Sequence, residues 1–209
     1  MLGSLIEKSI TSADYYPLTL NALTAACNQK SNRNPIMQLE ETDLLQALDE
    51  LRYKHKLAEQ TTITGSRVPK YRHALKNRFT LDPQQTALLC ELLLRGPQTV
   101  AELRTRAARM TQMPPNEQVE AMLNEMAVYE TPLVIKLPRE PGRREARYQH
   151  LLCGMPDMEA LSRPPDEPVR TLVTDRDTRI SALEATVQQQ QNTIESLQAA
   201  FAEFKKQFE

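Results

Sequence analysis

The sequence contains no tryptophan and only four phenylalanines in 209 residues. Its core must therefore come from Leu, Ile, Val, Ala and Met, which suits small helical domains better than a large β-sandwich. Glycine is scarce too, at five residues, leaving little scope for a glycine-rich loop that cradles phosphates. The three cysteines, Cys27, Cys90 and Cys153, lie more than 60 residues apart. An odd number with no close pair supports neither a disulfide framework nor a zinc site, so all three read as small buried hydrophobes or free thiols. No stretch approaches the roughly 20 apolar residues of a membrane span. The opening residues, MLGSLIEKSI, lack the basic and apolar regions of a secretory signal. A cytoplasmic location with no membrane partner is the expectation.

Catalytic signatures are missing as well. Neither GxSxG nor HExxH occurs, and His55, His73 and His150 have no companions at metal-ligand spacing. The carboxylates are spread over helix faces, where solvated residues belong. No catalytic residue, no metal and no cofactor is expected, and the chain reads as a non-enzyme.

What is present is a repeat. GSRVPKYRH at 65–73 returns as GRREARYQH at 142–150, so Gly65, Arg67, Tyr71 and His73 match Gly142, Arg144, Tyr148 and His150 at an offset of 77. LDEL at 48–51 matches LNEM at 123–126, and LIEK at 5–8 faces LLLR at 92–95. One supersecondary unit is used twice.

The second copy is the easier to read. Asp82 caps a helix with Pro83 at its first position, Leu88, Leu89, Leu92 and Leu93 supply the apolar face, and Gly96-Pro97 ends it. Thr99 caps a short helix, 100–109, with Glu102 at the capping-box position. Pro114-Pro115 opens a third helix to about residue 127, after which LVIKL at 133–137 and EARYQHLL at 145–152 make two strands around a turn. The first copy predicts helices over 2–10, 18–27 and 41–56, with strands near 57–63 and 68–74. Three helices closed by a β-hairpin are the winged-helix arrangement, a variant of helix-turn-helix. The fold class is mainly α (α+β), with winged-helix domains over 1–78 and 79–153.

The runs YPLTLNALTAACNQKSNRNPIM, GSRVPKY, LLLRGPQTVAELRTRAARM and REPGRREARYQHL resemble the YceH-like family of bacterial proteins. The resemblance covers nearly all of residues 1–153. It implies tandem winged-helix domains, no established molecular function, and a lead-in before the first helix that is longer than the one here.

Residues 154–170, rich in proline and acids, read as an extended linker. Beyond them, over 171–209, Val173, Ile180, Val187, Ile194, Phe201 and Phe208 recur every seventh residue. Leu183, Leu197 and Phe204 occupy the companion position, with Arg176 and Gln190 as polar exceptions. This pattern predicts a coiled-coil tail that makes the chain a homodimer, with Ile180, Leu183, Val187, Ile194, Leu197, Phe201 and Phe204 at the seam. Folding back onto the body is the other outcome.

Charge divides along the chain. Residues 1–153 hold 20 lysines and arginines against 17 acids, and residues 154–209 hold 6 against 10. Between Arg52 and Arg78 eight basic residues face Glu59 alone, and the second copy gathers Lys136, Arg139, Arg143, Arg144 and Arg147. Arg104, Arg106 and Arg109 add charge to its short helix. Basic hairpins can grip phosphate backbones, so Arg67, Lys70, Arg72, Arg143, Arg144 and Arg147 are the candidate contacts to double-stranded DNA. The third helices argue against base reading, because Glu41, Asp43, Asp49, Glu117, Glu120 and Glu125 stand where a reader would face phosphates. A DNA-binding or transcription-associated role leads. A scaffold for protein partners is the alternative, supported by the net charge of −1.

Overall fold

The computed structural model describes residues 1–62, 68–139, 142, 145–157 and 189–191. Residues 1–162 form one compact unit and residues 163–209 another. The first unit is mixed α/β: six α-helices and two small antiparallel sheets among its described residues.

The first copy runs α1 (Leu2–Thr11), β1 (Leu18–Thr19), α2 (Leu20–Cys27), α3 (Glu41–Asp49), β2 (Ala58–Thr61) and β3 (Lys70–His73). The second runs α4 (Pro83–Arg95), α5 (Val100–Ala107), α6 (Asn116–Ala127), β4 (Val134–Lys136) and β5 (Tyr148–His150). The order expected from the repeat is the order found, with two additions. α3 stops at Asp49 rather than Lys56, and Glu50–Lys54 continue as a wider π-helical turn closed by the His55 N–H donating to the Glu50 carbonyl at 3.0 Å. β1 is the second addition: Leu18 pairs with Tyr71 and Thr19 with Lys70, giving a sheet in the order β1-β3-β2. The second copy keeps one rung of the same strand, as Gln98 exchanges backbone bonds with Tyr148 at 2.8 and 3.0 Å.

Helix starts follow local chemistry. The Asp82 carboxylate accepts from the Gln85 N–H at 2.7 Å while the Gln85 side chain accepts from the Asp82 N–H at 3.2 Å. Thr99 and Glu102 make the same reciprocal box on α5. Such a cap is worth about 1 kcal/mol. Gly96 ends α4 at φ 71°, in the left-handed region that glycine enters without strain.

Two cores result. The larger belongs to the second copy and is built on Leu88, Leu89, Leu92, Leu103, Leu123, Met126 and Tyr148, yet it also takes Leu2, Ile6, Leu57 and Leu75 from the first. The smaller joins Leu5, Leu18, Leu23, Leu44, Leu48 and Tyr71. α1 therefore splits its apolar stripe, with Leu2 and Ile6, one turn apart, facing one core and Leu5 the other. Helices α1 and α4 approach so closely that a Cβ on Gly3 would lie 2.9 Å from Leu94 Cδ2 and 3.0 Å from Leu93 Cβ. The Cys90 thiol donates to the Gly3 carbonyl at 3.3 Å across this approach, and burial pushes that thiol's pKa up.

Candidate nucleic-acid interface

Three of the six candidate phosphate ligands, Arg67, Arg143 and Arg144, lie outside the described residues. The others are placed. Lys70 opens β3, half-buried beside Thr19 and Thr61. Arg72 faces Glu59 across the β2-β3 pair and donates to one carboxylate oxygen from Nε at 3.0 Å and Nη2 at 2.7 Å. With Asn77 also donating to it, Glu59 is held below the usual carboxylate range. Arg147 turns inward, giving Nη1 to the Pro97 carbonyl at 2.9 Å and standing 3.6 Å from Glu102. Arg147 thus ties β5 to the start of α5.

Three more cations of the second copy are similarly engaged. Lys136 bonds Glu120 at 2.8 Å, Arg106 meets Gln98 at 2.6 Å and Glu102 at 3.5 Å, and Arg104 donates to the Pro114 carbonyl. A shallow groove of about 380 Å³ over α6 and the hairpin is lined by Glu117, Glu120 and Glu145 against Lys136 and Arg139. Among the described residues of that lining, acids outnumber bases three to two.

Arg109 goes into the interior. It donates to Glu7 at 2.5 Å and to Glu91 at 2.7 Å, and Arg33 reaches Glu7 at 2.5 Å from the other side. Arg95 stands 3.4 Å from Glu91 and bonds Asn32. Glu7 and Glu91 are 1% and 0% exposed at their side chains, so this is a buried charge network joining α1 and the Arg33 loop to α4 and the end of α5. Burial alone would raise the Glu7 pKa, but Arg33 and Arg109 take it below the ordinary range. Sequence reasoning does not reach this network. Its one signal there is an acid inside each apolar run, LIEK and LLCELLL.

Cations on the first copy remain exposed. Ala58 pairs with His73, and the Ala74 N–H donates to the Leu57 carbonyl at 2.8 Å, so the residues before β2 and after β3 meet at the base of the hairpin. Arg78 reaches across to the His55 carbonyl at 3.2 Å. This register gathers Lys54, Lys56, Lys76 and Arg78, all exposed, at one end of the sheet. Among the described residues no carboxylate lies within ion-pair distance of these four. Of the expected contacts, Lys70 lies at the far end of the same strand pair, opposite Thr61.

α3 presents Glu41, Asp43, Asp49 and Glu50 to solvent, as expected, and adds exposed apolar groups, Leu45 at 42% and Tyr53 at 70%. On α6, Asn116, Glu117, Gln118, Asn124 and Glu125 are exposed.

The two repeated histidines share a register but not an environment. His73 Nε2 lies 3.2 Å from the Ser9 hydroxyl, and its backbone N–H donates to the Tyr16 hydroxyl at 2.6 Å. Burial, with Lys76 and Arg72 nearby, lowers the His73 pKa. Burial lowers the His150 pKa, and its Nδ1 has no hydrogen-bond partner among the described residues. Among the described residues a side-chain hydrogen bond is seen at His73 and not at His150. Cys27 and Cys90 are buried and Cys153 is exposed. Among the described residues no three metal-capable side chains gather, and no helix is long and apolar enough to cross a membrane.

All seven seam residues, Ile180, Leu183, Val187, Ile194, Leu197, Phe201 and Phe204, lie outside the described residues, as does most of the linker. Of the tail only 189–191 is described; Gln190 is helical and exposed there.

Comparison with known proteins matches the family model "Protein of unknown function, DUF480" over residues 1–143. A UPF0502 protein of Geobacter sulfurreducens is 50% identical over 210 residues, spanning 100% of this chain and 95% of that one. A UPF0502 protein of Geotalea daltonii is 49% identical over 209 residues with the same coverage. One from Shewanella amazonensis is 46% identical over 202 residues, covering 94% of this chain and 93% of its own. With the family model matching most of the chain and relatives aligned along nearly all of it, the chain belongs to the DUF480 (UPF0502) family of uncharacterised bacterial proteins.

Proposed function

We propose that the chain is a non-enzymatic tandem winged-helix protein, with domains over 1–78 and 79–153, that holds duplex DNA by its phosphates. The YceH-like resemblance and the twice-used order of three helices and an antiparallel pair support the fold assignment. The observation that carries the DNA reading is the cluster of exposed cations at the base of the first hairpin: Lys54, Lys56, Lys76 and Arg78. Four cations with no carboxylate within ion-pair distance among the described residues form an electrostatic footprint for phosphates, whereas acids on α3 and α6 disfavour base reading. The hairpin residues Arg67, Arg143 and Arg144 would extend the footprint. Arg72 and Arg147 act in this reading as braces of the fold. The tail, through Ile180 to Phe204, would pair two chains and place two such footprints on one duplex.

Fluorescence anisotropy with random-sequence duplex DNA tests this directly. Micromolar binding that weakens with salt is expected. Replacing Lys54, Lys56 and Lys76 together with Ala should flatten the logarithmic salt slope by about 0.9 for each phosphate no longer neutralised. An unchanged slope, or no binding at low salt, would overturn the reading. A protein-interaction scaffold is the second reading, favoured by the exposed Leu45 and Tyr53 on the acidic face of the first copy. It predicts elution from heparin at low salt and partners that bind through that face.

A further inference from the structure

Where the two copies meet, the fold leaves a groove of about 470 Å³. That is the size range of small-molecule sites. Its walls are apolar, with Leu2 from α1, Leu93 from α4, and Leu51, Leu57 and Phe79 from the segments around the first hairpin. Three nitrogen-bearing side chains also line it: His55 and Arg78 from the first copy and His150 from the second. Arg78 is anchored at the apolar wall, with its guanidinium carbon 5.9 Å from the centre of the Phe79 ring and Nη1 on the His55 carbonyl. His150 brings a buried Nδ1 with no hydrogen-bond partner among the described residues. Among the described residues of the lining Glu50 is the one acid, and it is exposed.

We infer that this groove binds a small amphiphile with a single carboxylate head. Arg78 takes the head between His55 and His150, and the hydrocarbon body lies against Leu2, Leu51, Leu57, Phe79 and Leu93. One permanent cation beside a continuous apolar wall suits a monocarboxylate. A nucleotide or other polyanion would leave its remaining charges against leucine, where no donor meets them. A hydrocarbon without a head would leave the Arg78 donors unused. The site is built from both copies and shares Arg78 with the proposed DNA footprint; Lys54, Lys56 and Lys76 do not line it, so replacing those three tests the DNA reading without touching the groove.

The test uses the full chain with octanoate, 1-octanol and octylammonium, titrated by calorimetry at fixed ionic strength. Octanoate should bind most tightly, octanol more weakly and octylammonium least. Arg78→Gln should bring octanoate down to the affinity of octanol, a loss of about tenfold or more, and leave octanol unchanged. Ala47→Phe, which fills the groove from α3, should abolish binding of both while circular dichroism stays that of the parent. Equal binding of octanoate and octylammonium, an Arg78→Gln chain that still prefers octanoate, or no binding of octanoate at millimolar concentration would each overturn the site.

Discussion

Copy one and copy two place a tyrosine at the same point of the returning strand, and the surroundings of that ring separate them. Tyr148 is fully buried in the larger core, and its hydroxyl donates to Asn124 at 2.9 Å and to Glu120 at 3.3 Å. Tyr71 lies in the smaller core, which draws no residue from the other copy. Traffic between the cores runs one way: Leu2, Ile6, Leu57 and Leu75 leave the first copy for the second. Surface charge runs the opposite way. The second copy ties down Lys136, Arg106, Arg109 and Arg147, while the first leaves Lys54, Lys56, Lys76 and Arg78 in solvent. The repeated unit is used unequally: the second copy is the anchor, and the first keeps exposed cations.

The most damaging way to break this asymmetry is at the charge network. Glu7→Gln leaves Arg33 and Arg109 with no carboxylate at α1, and removing one partner from a buried ion pair costs about 3–5 kcal/mol. Because the network spans both copies, the urea midpoint followed by circular dichroism should fall in a single transition. Two separated transitions would show that the copies fold independently and that the second does not anchor the first.

A smaller effect is expected where α1 meets α4. Gly3→Ala puts a methyl 3.0 Å from Leu93 Cβ, which cannot swing aside as the end of Leu94 can. Overpacking of this kind costs about 1–3 kcal/mol. Thermal unfolding measures it, and an unchanged midpoint would mean that α1 is not held against the second copy.

The smallest effect sharpens the comparison of the two histidines. Both are held below the ordinary histidine pKa, so on acidification the unfolded chain takes up protons before the folded one does. Their contribution to stability is intact above about pH 6.5 and is lost as pH falls from there towards the folded-state values. His150→Gln should flatten the pH dependence of the urea midpoint between pH 7.5 and 5.5 at little cost at neutral pH. His73→Gln should flatten it too but lower the midpoint at every pH, because the approach to Ser9 goes with it. Identical behaviour of the two variants would erase the difference between the strands.

Much of the scaffold is written in local chemistry. Asp82, Pro83 and Gly96 mark both ends of α4, and Thr99 with Glu102 marks the start of α5, because caps act within four residues and leave their signature there. β1 escapes because a two-residue strand has no period to detect. Its trace is Pro17-Leu18-Thr19 returning as Pro97-Gln98-Thr99, the same short strand leading into a capped helix. The wide turn after α3 escapes for another reason: Leu44, Leu48 and Leu51 fit the period of an uninterrupted α-helix, so the apolar stripe conceals the break. A sequence shows how many cations there are but not which of them are spoken for. Arg72 meets Glu59 only through the strand register, and Arg147 meets Glu102 only once β5 lies against α5. Pairing is a tertiary property, and a charge tally does not contain it.

The shared network has a consequence for the divisibility of the molecule. Its ions are drawn from both halves, and α1 serves two cores at once. A cut between residues 78 and 79 would sever the Arg109–Glu7 pair, leaving Glu7 with Arg33 alone and Glu91 with Arg95 and Arg109, and strip Leu2 and Ile6 of their cover. What began as two copies of one unit has become a single inheritance that neither half can carry alone.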